Sequence, residues 1–364
     1  MLFRSQISAT AQTLNLELSP ASQELAEVIV KARANDENVK GIEMSVNKVD
    51  IKTIRKIPAL LGEVDLVRAI QLLPGVSTVG EGASGFNVRG GGVDQNLVLL
   101  DDAPVYNSSH LFGFFSVFNP DAVKDVKLFK GGIPSMYGGR ASSILDVKMK
   151  EGNAKKLEVN GGIGVIFSRL SIEAPIVKDK ASFIVAARRS YIDILAKPFL
   201  TGNNANSKFN FYDLTAKVNY TINQKNTVFM SGYFGRDVFG TGFGFDWGNT
   251  TLTTRWNHVF SNKLFLNATA FYSNYDYMLD SDIENKRPND AFKWTSNIEN
   301  LSIKPDFTYY IRPDNTISFG GQLLTYDFTP GKANATSNGE KREFGQANKQ
   351  GVEASAYVGD RKSV

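Results

Sequence analysis

Three runs decide the fold: Gly85-Phe-Asn-Val-Arg-Gly-Gly-Gly92, Asn96-Leu-Val-Leu-Leu-Asp-Asp-Ala-Pro-Val-Tyr106 and Val126-Lys-Leu-Phe-Lys-Gly-Gly-Ile-Pro-Ser-Met-Tyr-Gly-Gly-Arg140. They are too polar and too rich in glycine to cross a membrane. Yet the chain after residue 155 is patterned as membrane strands. A compact polar block ahead of such strands reads as the stopper of a wide barrel.

Inside the block, 86–89, 97–100, 126–129 and 144–149 read as short strands, and Asp101-Asp102-Ala103-Pro104 as a turn. A helix is predicted over 51–73, with Asp65, Leu66, Ala69, Ile70 and Leu73 on one face and Pro74-Gly75 as its stop. Asn119 is positioned to cap a second short helix from Pro120. Together, 51–152 form a small α+β domain. Its most pointed charges are Arg89, Asp101, Asp102 and Arg140; ion pairing and ligand contact are both open to them.

Downstream, Leu214, Ala216, Val218, Tyr220 and Ile222 alternate with polar residues, as do Leu264, Leu266, Ala268, Ala270 and Tyr272. Leu301, Ile303, Phe307, Tyr309 and Ile311 continue the pattern. Period two marks strands with one apolar face. These runs are about twice the ~5–6 residues usual in soluble sheets. Short turns at 178–180, 223–226, 261–263 and 312–315 take turns with longer connections at 197–208, 240–249, 280–291 and 330–349. Outer-membrane barrels have that asymmetry between their two rims. For the first short turn to fall on the same rim as the block, 156–176 must hold two strands, 157–165 and 169–176. The count is then nine strands and the start of a tenth from Val352, in region 153–364. A lumen that encloses a separate domain needs about 22 strands, and an unpaired edge is untenable in lipid. The expectation is therefore a partial antiparallel transmembrane barrel, about 10 of about 22 strands.

Composition agrees. The 364 residues include 32 Gly, 25 Phe and 13 Tyr against 6 Met, a bias toward strands and aromatic girdles. A net charge of +4 without a basic stripe argues against nucleic acid. There is no Cys, and the two His are far apart in sequence, which leaves no obvious metal site or cofactor. No run of about 18 apolar residues predicts a transmembrane helix. Neither does a signal peptide open the chain; a membrane-crossing reading expects a longer natural protein at both ends.

Ahead of the block, Leu14, Leu16 and Leu18 alternate as one strand of a domain begun upstream. Glu27-Val28-Ile29-Val30 would add readily to another protein's sheet edge. Region 31–50 reads as a polar linker.

Residues 76–151 resemble the plug of TonB-dependent outer-membrane receptors, through Asn87-Val-Arg-Gly90, Val98-Leu-Leu-Asp101 with Pro104 and Tyr106, Val126-Lys-Leu-Phe-Lys-Gly131, Met136-Tyr-Gly138 and the closing strand 144–149. Residues 27–32 are similar to the family's energy-coupling box. Residues 1–30 look like the end of the carboxypeptidase-regulatory-like domain of Bacteroidetes-type members. Two departures stand out. Gly131-Gly132 replaces the common Gly-Pro, and Asp101-Asp102 replaces Asp-Gly. The motifs typical of glycan importers are also lacking, which lowers the prior for a polysaccharide.

The resemblance implies a receptor, not an enzyme. It takes up a scarce ligand (siderophore, other metal chelate, oligosaccharide or similar) across the outer membrane, with the plug facing the periplasm. Implied partners are TonB with the ExbB/ExbD energy-coupling system, outer-membrane lipid, the ligand and a surface lipoprotein. Glu27, Val28, Ile29 and Val30 would couple to TonB. Arg89, Gly90, Asp101, Asp102, Gly131, Tyr137, Gly138 and Arg140 would form the plug motif and its lock to the barrel, with the two arginines as the ion-pairing candidates. Tyr106, Asn107, His110, Phe112 and Phe114 are the ligand-facing candidates. The rival reading is a receptor that binds or signals without transport. Ser108-Ser109-His110 offers no third orienting group for catalysis.

Overall fold

The computed structural model describes residues 46–54, 64–80, 85–201, 207–240, 243–281, 291–312 and 314–362. The proposed coupling segment Glu27–Val30, the strand expected at 14–18 and residues 81–84 lie outside them.

The block folds as a five-stranded sheet in the order β1-β8-β9-β4-β5. Its strands are β1 (Val46–Asp50), β4 (Asn96–Leu100), β5 (Ala103–Pro104), β8 (Val123–Phe129) and β9 (Ser143–Met149). Only β4 and β9 run parallel. Two small hairpins accompany the sheet: β2 (Val76–Thr78) with β3 (Phe86–Val88), and β6 (Ser109–His110) with β7 (Phe115–Ser116). Part of the expected linker is thus strand. Val49 and Val46 point to opposite faces of the sheet, each into its own apolar cluster, and β1 pairs with β8 along its length.

The expected 51–73 helix is present in two pieces, α1 (Ile51–Ile54) and α2 (Leu66–Gln71), with 55–63 outside the described residues. Asp65 caps α2 by accepting the Arg68 N–H at 2.9 Å. Asn119 does cap, but a turn rather than a helix: its Oδ1 accepts from Asp121 N at 3.0 Å, and the chain enters β8 at Val123. Ile54, Leu66, Ile70, Phe86, Val126, Leu128, Leu145 and Val147 form the core, and Tyr233 joins it from outside the domain.

The remainder is one antiparallel sheet. Its strands are β10 (Glu158–Ile163), β11 (Phe167–Val177), β12 (Ala181–Ser190), β13 (Lys208–Asn223), β14 (Asn226–Gly240), β15 (Gly244–Val259), β16 (Leu264–Asp280), β17 (Ala291–Arg312) and β18 (Asn315–Ser337). β19 (Glu340–Gly345) and β20 (Lys349–Lys362) both pair with β18, one after the other, as one interrupted strand. The wall therefore has ten strands, and among the described residues it is not closed. A short helix, α3 (Ile192–Ala196), sits after β12.

Two of the expected long connections are mostly strand. β14 and β15 run on to Gly240 and from Gly244, because Phe239, Phe245 and Trp247 pack there. β18 reverses at Asn338-Gly339, both with positive φ (51° and 82°), the mark of a type I′ hairpin. Wall residues alternate in environment. Leu214, Met230, Leu252, Leu301 and Ile303 are exposed apolar residues on one face. Asp213, Ser231, Thr253, Asn300 and Ser302 are buried on the other. No helix among the described residues is long and apolar enough to cross a membrane.

Candidate functional site

The β6–β7 hairpin brings a buried group of polar side chains together with the wall. Strand registers set Arg188 opposite Asp213, and Asp213 opposite Gly235, with Tyr233 and Asp237 flanking Gly235 on the same face. His110 enters this group from the block and is 1% exposed. Its Nδ1 lies 2.6 Å from Asp237 Oδ2 and its Nε2 3.2 Å from Asp213 Oδ2. Its ring stacks on Phe211 at 4.4 Å. Arg188 Nη2 holds Asp213 at 2.6 Å and donates to Ser116 O at 2.9 Å. Burial alone would lower the His110 pKa. The Asp237 and Asp213 carboxylates outweigh it and raise the value to about 9. The group is charge-balanced when His110 is protonated: two carboxylates face two cations.

His110, one of the expected ligand-facing residues, is thus buried between block and wall, where two wall carboxylates suit an imidazolium held away from water.

A second cluster has the reverse polarity. Asp101 and Asp102 form the β4–β5 turn, with φ of 47° and 76°. Asp101 Oδ2 is 3.0 Å from Lys217 Nζ on β13, and its Oδ1 accepts from Met149 N at 3.1 Å. Asp102 bridges Lys148 Nζ at 2.7 Å and the wall guanidinium of Arg255. Burial pushes the Asp101 carboxyl up, but Lys217 and Lys148 pull it below its ordinary range. Lys148 also meets Asp146 at 3.1 Å, and Tyr137 donates its hydroxyl to Asp146 at 3.1 Å.

The two arginines expected to lock the block lie on exposed parts of it. Arg140 is exposed and donates to Gly139 O at 2.7 Å. Arg89, also exposed, has a left-handed φ of 49°, and its N–H donates to Gly75 O at 2.9 Å. Among the ion pairs described between them, the block offers carboxylates, His110 and Lys150, and the wall offers lysine, arginine, aspartate and Glu173. Sequence reasoning missed Lys148, Arg188, Asp213, Lys217, Asp237 and Arg255. The one signal available was that all but Lys148 sit on the polar phase of alternating strands.

The other ligand-facing candidates gather at one end. Tyr106 N donates to Asn249 Oδ1 at 3.2 Å, its hydroxyl bonds Asn300, and its ring is 6.4 Å from Tyr275. Asn107 O accepts from Asn249 Nδ2 at 2.8 Å. Phe112 is 40% exposed and Phe114 46%. The Phe112 ring packs on Phe239, Phe245 and Trp247, with centroids 5.0–6.3 Å away. A cavity of about 540 Å³ opens beside Tyr106 and Asn107, which line it with Asp94, Asn96, Arg140 and Tyr275 among others. Its walls suit hydrogen bonding and ring stacking. Among the described residues, no three His, Asp or Glu side chains are grouped to hold a metal ion.

No curated protein matches the chain. Solved structures do. The copper transporter OprC aligns with a TM-score of 0.62 at 13% identity, over 86% of this chain and 51% of that one. The siderophore receptor PirA from Acinetobacter baumannii aligns at 0.61 and 14%, over 91% and 56%. The outer membrane transporter YddB from Escherichia coli aligns at 0.60 and 12%, over 87% and 54%. The chain thus spans about half the length of these structures, and at such identities the likeness is one of fold. Residues 39–143 match the family described as TonB-dependent Receptor Plug Domain, and this plug-like part packs against an antiparallel sheet with the fold of a partial β-barrel.

Proposed function

We propose that the chain is the N-terminal part of a TonB-dependent outer-membrane receptor that takes up a scarce ligand through its plugged barrel. The observation that carries this reading is the double lock between plug and wall, His110 with Asp213 and Asp237, and Asp101 and Asp102 with Lys217 and Arg255. Breaking one partner out of a buried charge pair costs about 3–5 kcal/mol. A gate held this way stays shut unless work is done on it. An energised partner pulling from the periplasm supplies that work. In this reading TonB pairs with Glu27–Val30 and the plug faces the periplasm. Arg89 and Arg140, on the plug's exposed surface, are candidates for further lock contacts. Tyr106, Asn107, Phe112 and Phe114 meet the ligand, a siderophore, other metal chelate or oligosaccharide.

The test uses the complete open reading frame in Gram-negative hosts with and without TonB. Labelled ferric chelates and oligosaccharides are offered to each. Uptake of one class in the TonB-containing host alone supports the reading. Binding without uptake in either host would favour the rival, a receptor that binds or signals only.

A further inference from the structure

Asp237 reaches the plug with both carboxylate oxygens. Oδ2 meets His110 Nδ1 at 2.6 Å, and Oδ1 accepts the backbone N–H of Leu111 at 2.8 Å. The next residue is Phe112. Leu111 and Phe112 have left-handed φ values of 49° and 56°. Neither is glycine, and side chains of their kind rarely adopt this conformation. Two consecutive residues held there need an outside restraint. One restraint is Asp237. The other is the ring of Phe112, seated on Phe239, Phe245 and Trp247 of the wall. Phe239 is two residues from Asp237 and therefore on the same wall face. The exposed ring and the buried histidine are thus the two ends of one strained turn, held by Asp237 and Phe239 of β14, with Phe245 and Trp247 of β15 beside the ring.

We propose that Leu111-Phe112 is a sprung turn that couples occupancy at the plug's outer aromatic surface to the buried His110 lock, with Asp237 as the positioning residue between them. An occupant that lifts the Phe112 ring removes one restraint. The turn then relaxes, Leu111 N–H leaves Asp237, and His110 loses the oriented carboxylate on its Nδ1 side. This rests on the reading above that the ligand meets the plug near Phe112, and it adds the residue through which that contact reaches the lock.

The coupling is measured without ligand or TonB, so a receptor that fails to transport leaves it intact. The probe is amide hydrogen exchange over 107–118 in the full-length receptor, purified in detergent. F112A and D237N are each expected to speed exchange at Leu111 about tenfold. The double variant should exchange no faster than the faster single one, because both remove the same restrained state. F239A touches neither His110 nor the Leu111 backbone. It should still speed Leu111 exchange, and it keeps the test open should D237N fail to assemble. K124A, which removes an exposed ion pair with Glu151 on another strand of the plug, should leave Leu111 unchanged. Multiplying effects in the double variant, an unmoved Leu111 in F112A and F239A, or an equal response to K124A would each overturn the proposal.

Discussion

Tyr233 lies across Gly235, two residues further along the same face of β14, and brings its hydroxyl 3.3 Å from Nε2 of His110. A methyl group at 235 would collide with the tyrosine ring and hydroxyl. The glycine is therefore what lets the ring lie flat along the wall and serve both the plug core and the lock. Gly235→Ala should force Tyr233 off its rotamer and cost about 1–3 kcal/mol of plug docking. Chymotrypsin cleavage within 107–118 should rise, while barrel assembly on gels stays normal. Cleavage equal to wild type would mean the ring has another seat.

His110 makes the lock sensitive to alkali. Its folded pKa of about 9 exceeds the ordinary value of 6.5. The stabilisation is therefore full below about pH 6.5 and lost as pH rises through about 9. Protease sensitivity of 107–118 should climb across that window. His110→Gln keeps a donor but carries no charge, so two buried carboxylates would share one arginine. It should be sensitive already at pH 7, and its pH dependence in this window should flatten. A variant that keeps the wild-type profile would assign the transition to another group.

Asp102 serves two opposing purposes. Its φ of 76° suits glycine, the usual second residue of a type I′ turn. Its carboxylate bridges Lys148 and Arg255. Asp102→Gly loses the bridge but relaxes the backbone, whereas Asp102→Ala loses the bridge and keeps the strain. The alanine variant should be less stable than the glycine variant by about 1 kcal/mol, read from urea-induced exposure of the plug in the assembled receptor. The reverse order would show that the turn is not left-handed in solution.

Much of the fold is legible in the chain because period-two alternation is a local property. Leu214 to Ile222 and Leu264 to Tyr272 are apolar on one phase, and the wall follows. The Asn338-Gly339 hairpin was legible too, since Asn-Gly is the strongest short-range turn signal; the surrounding polar residues disguised it as a loop. The lock is a different matter. Asp213 and Asp237 lie 103 and 127 residues beyond His110 in sequence, and nothing local in either wall strand names a histidine as partner. Among the charges expected in the lock, the resemblance points to Arg89 and Arg140 for ion pairing; Asp101 and Asp102, of the same set, are the ones whose turn meets Lys217 and Arg255 on the wall. What three-dimensional pairing decides, a one-dimensional pattern cannot carry.

The same limit explains Gly132. Many similar plugs carry proline here, so Gly132→Pro looks harmless by resemblance. In this chain Gly132 has φ of 58°, and proline is fixed near −65°. The path from Phe129 to Tyr137 would have to change. That path now packs the Tyr137 ring, tilted, against Phe129 at 5.3 Å and delivers its hydroxyl to Asp146, which also holds Lys148. Gly132→Ala should cost about 1 kcal/mol, from its left-handed backbone alone. Gly132→Pro should cost about 3 kcal/mol or more and release Tyr137 as well. Hydrogen exchange along β9 distinguishes the two: the alanine variant keeps near-native protection at Asp146 and Lys148, and the proline variant loses it. Equal protection in both would mean that the 130–137 segment reaches Asp146 by a route that does not need a left-handed residue.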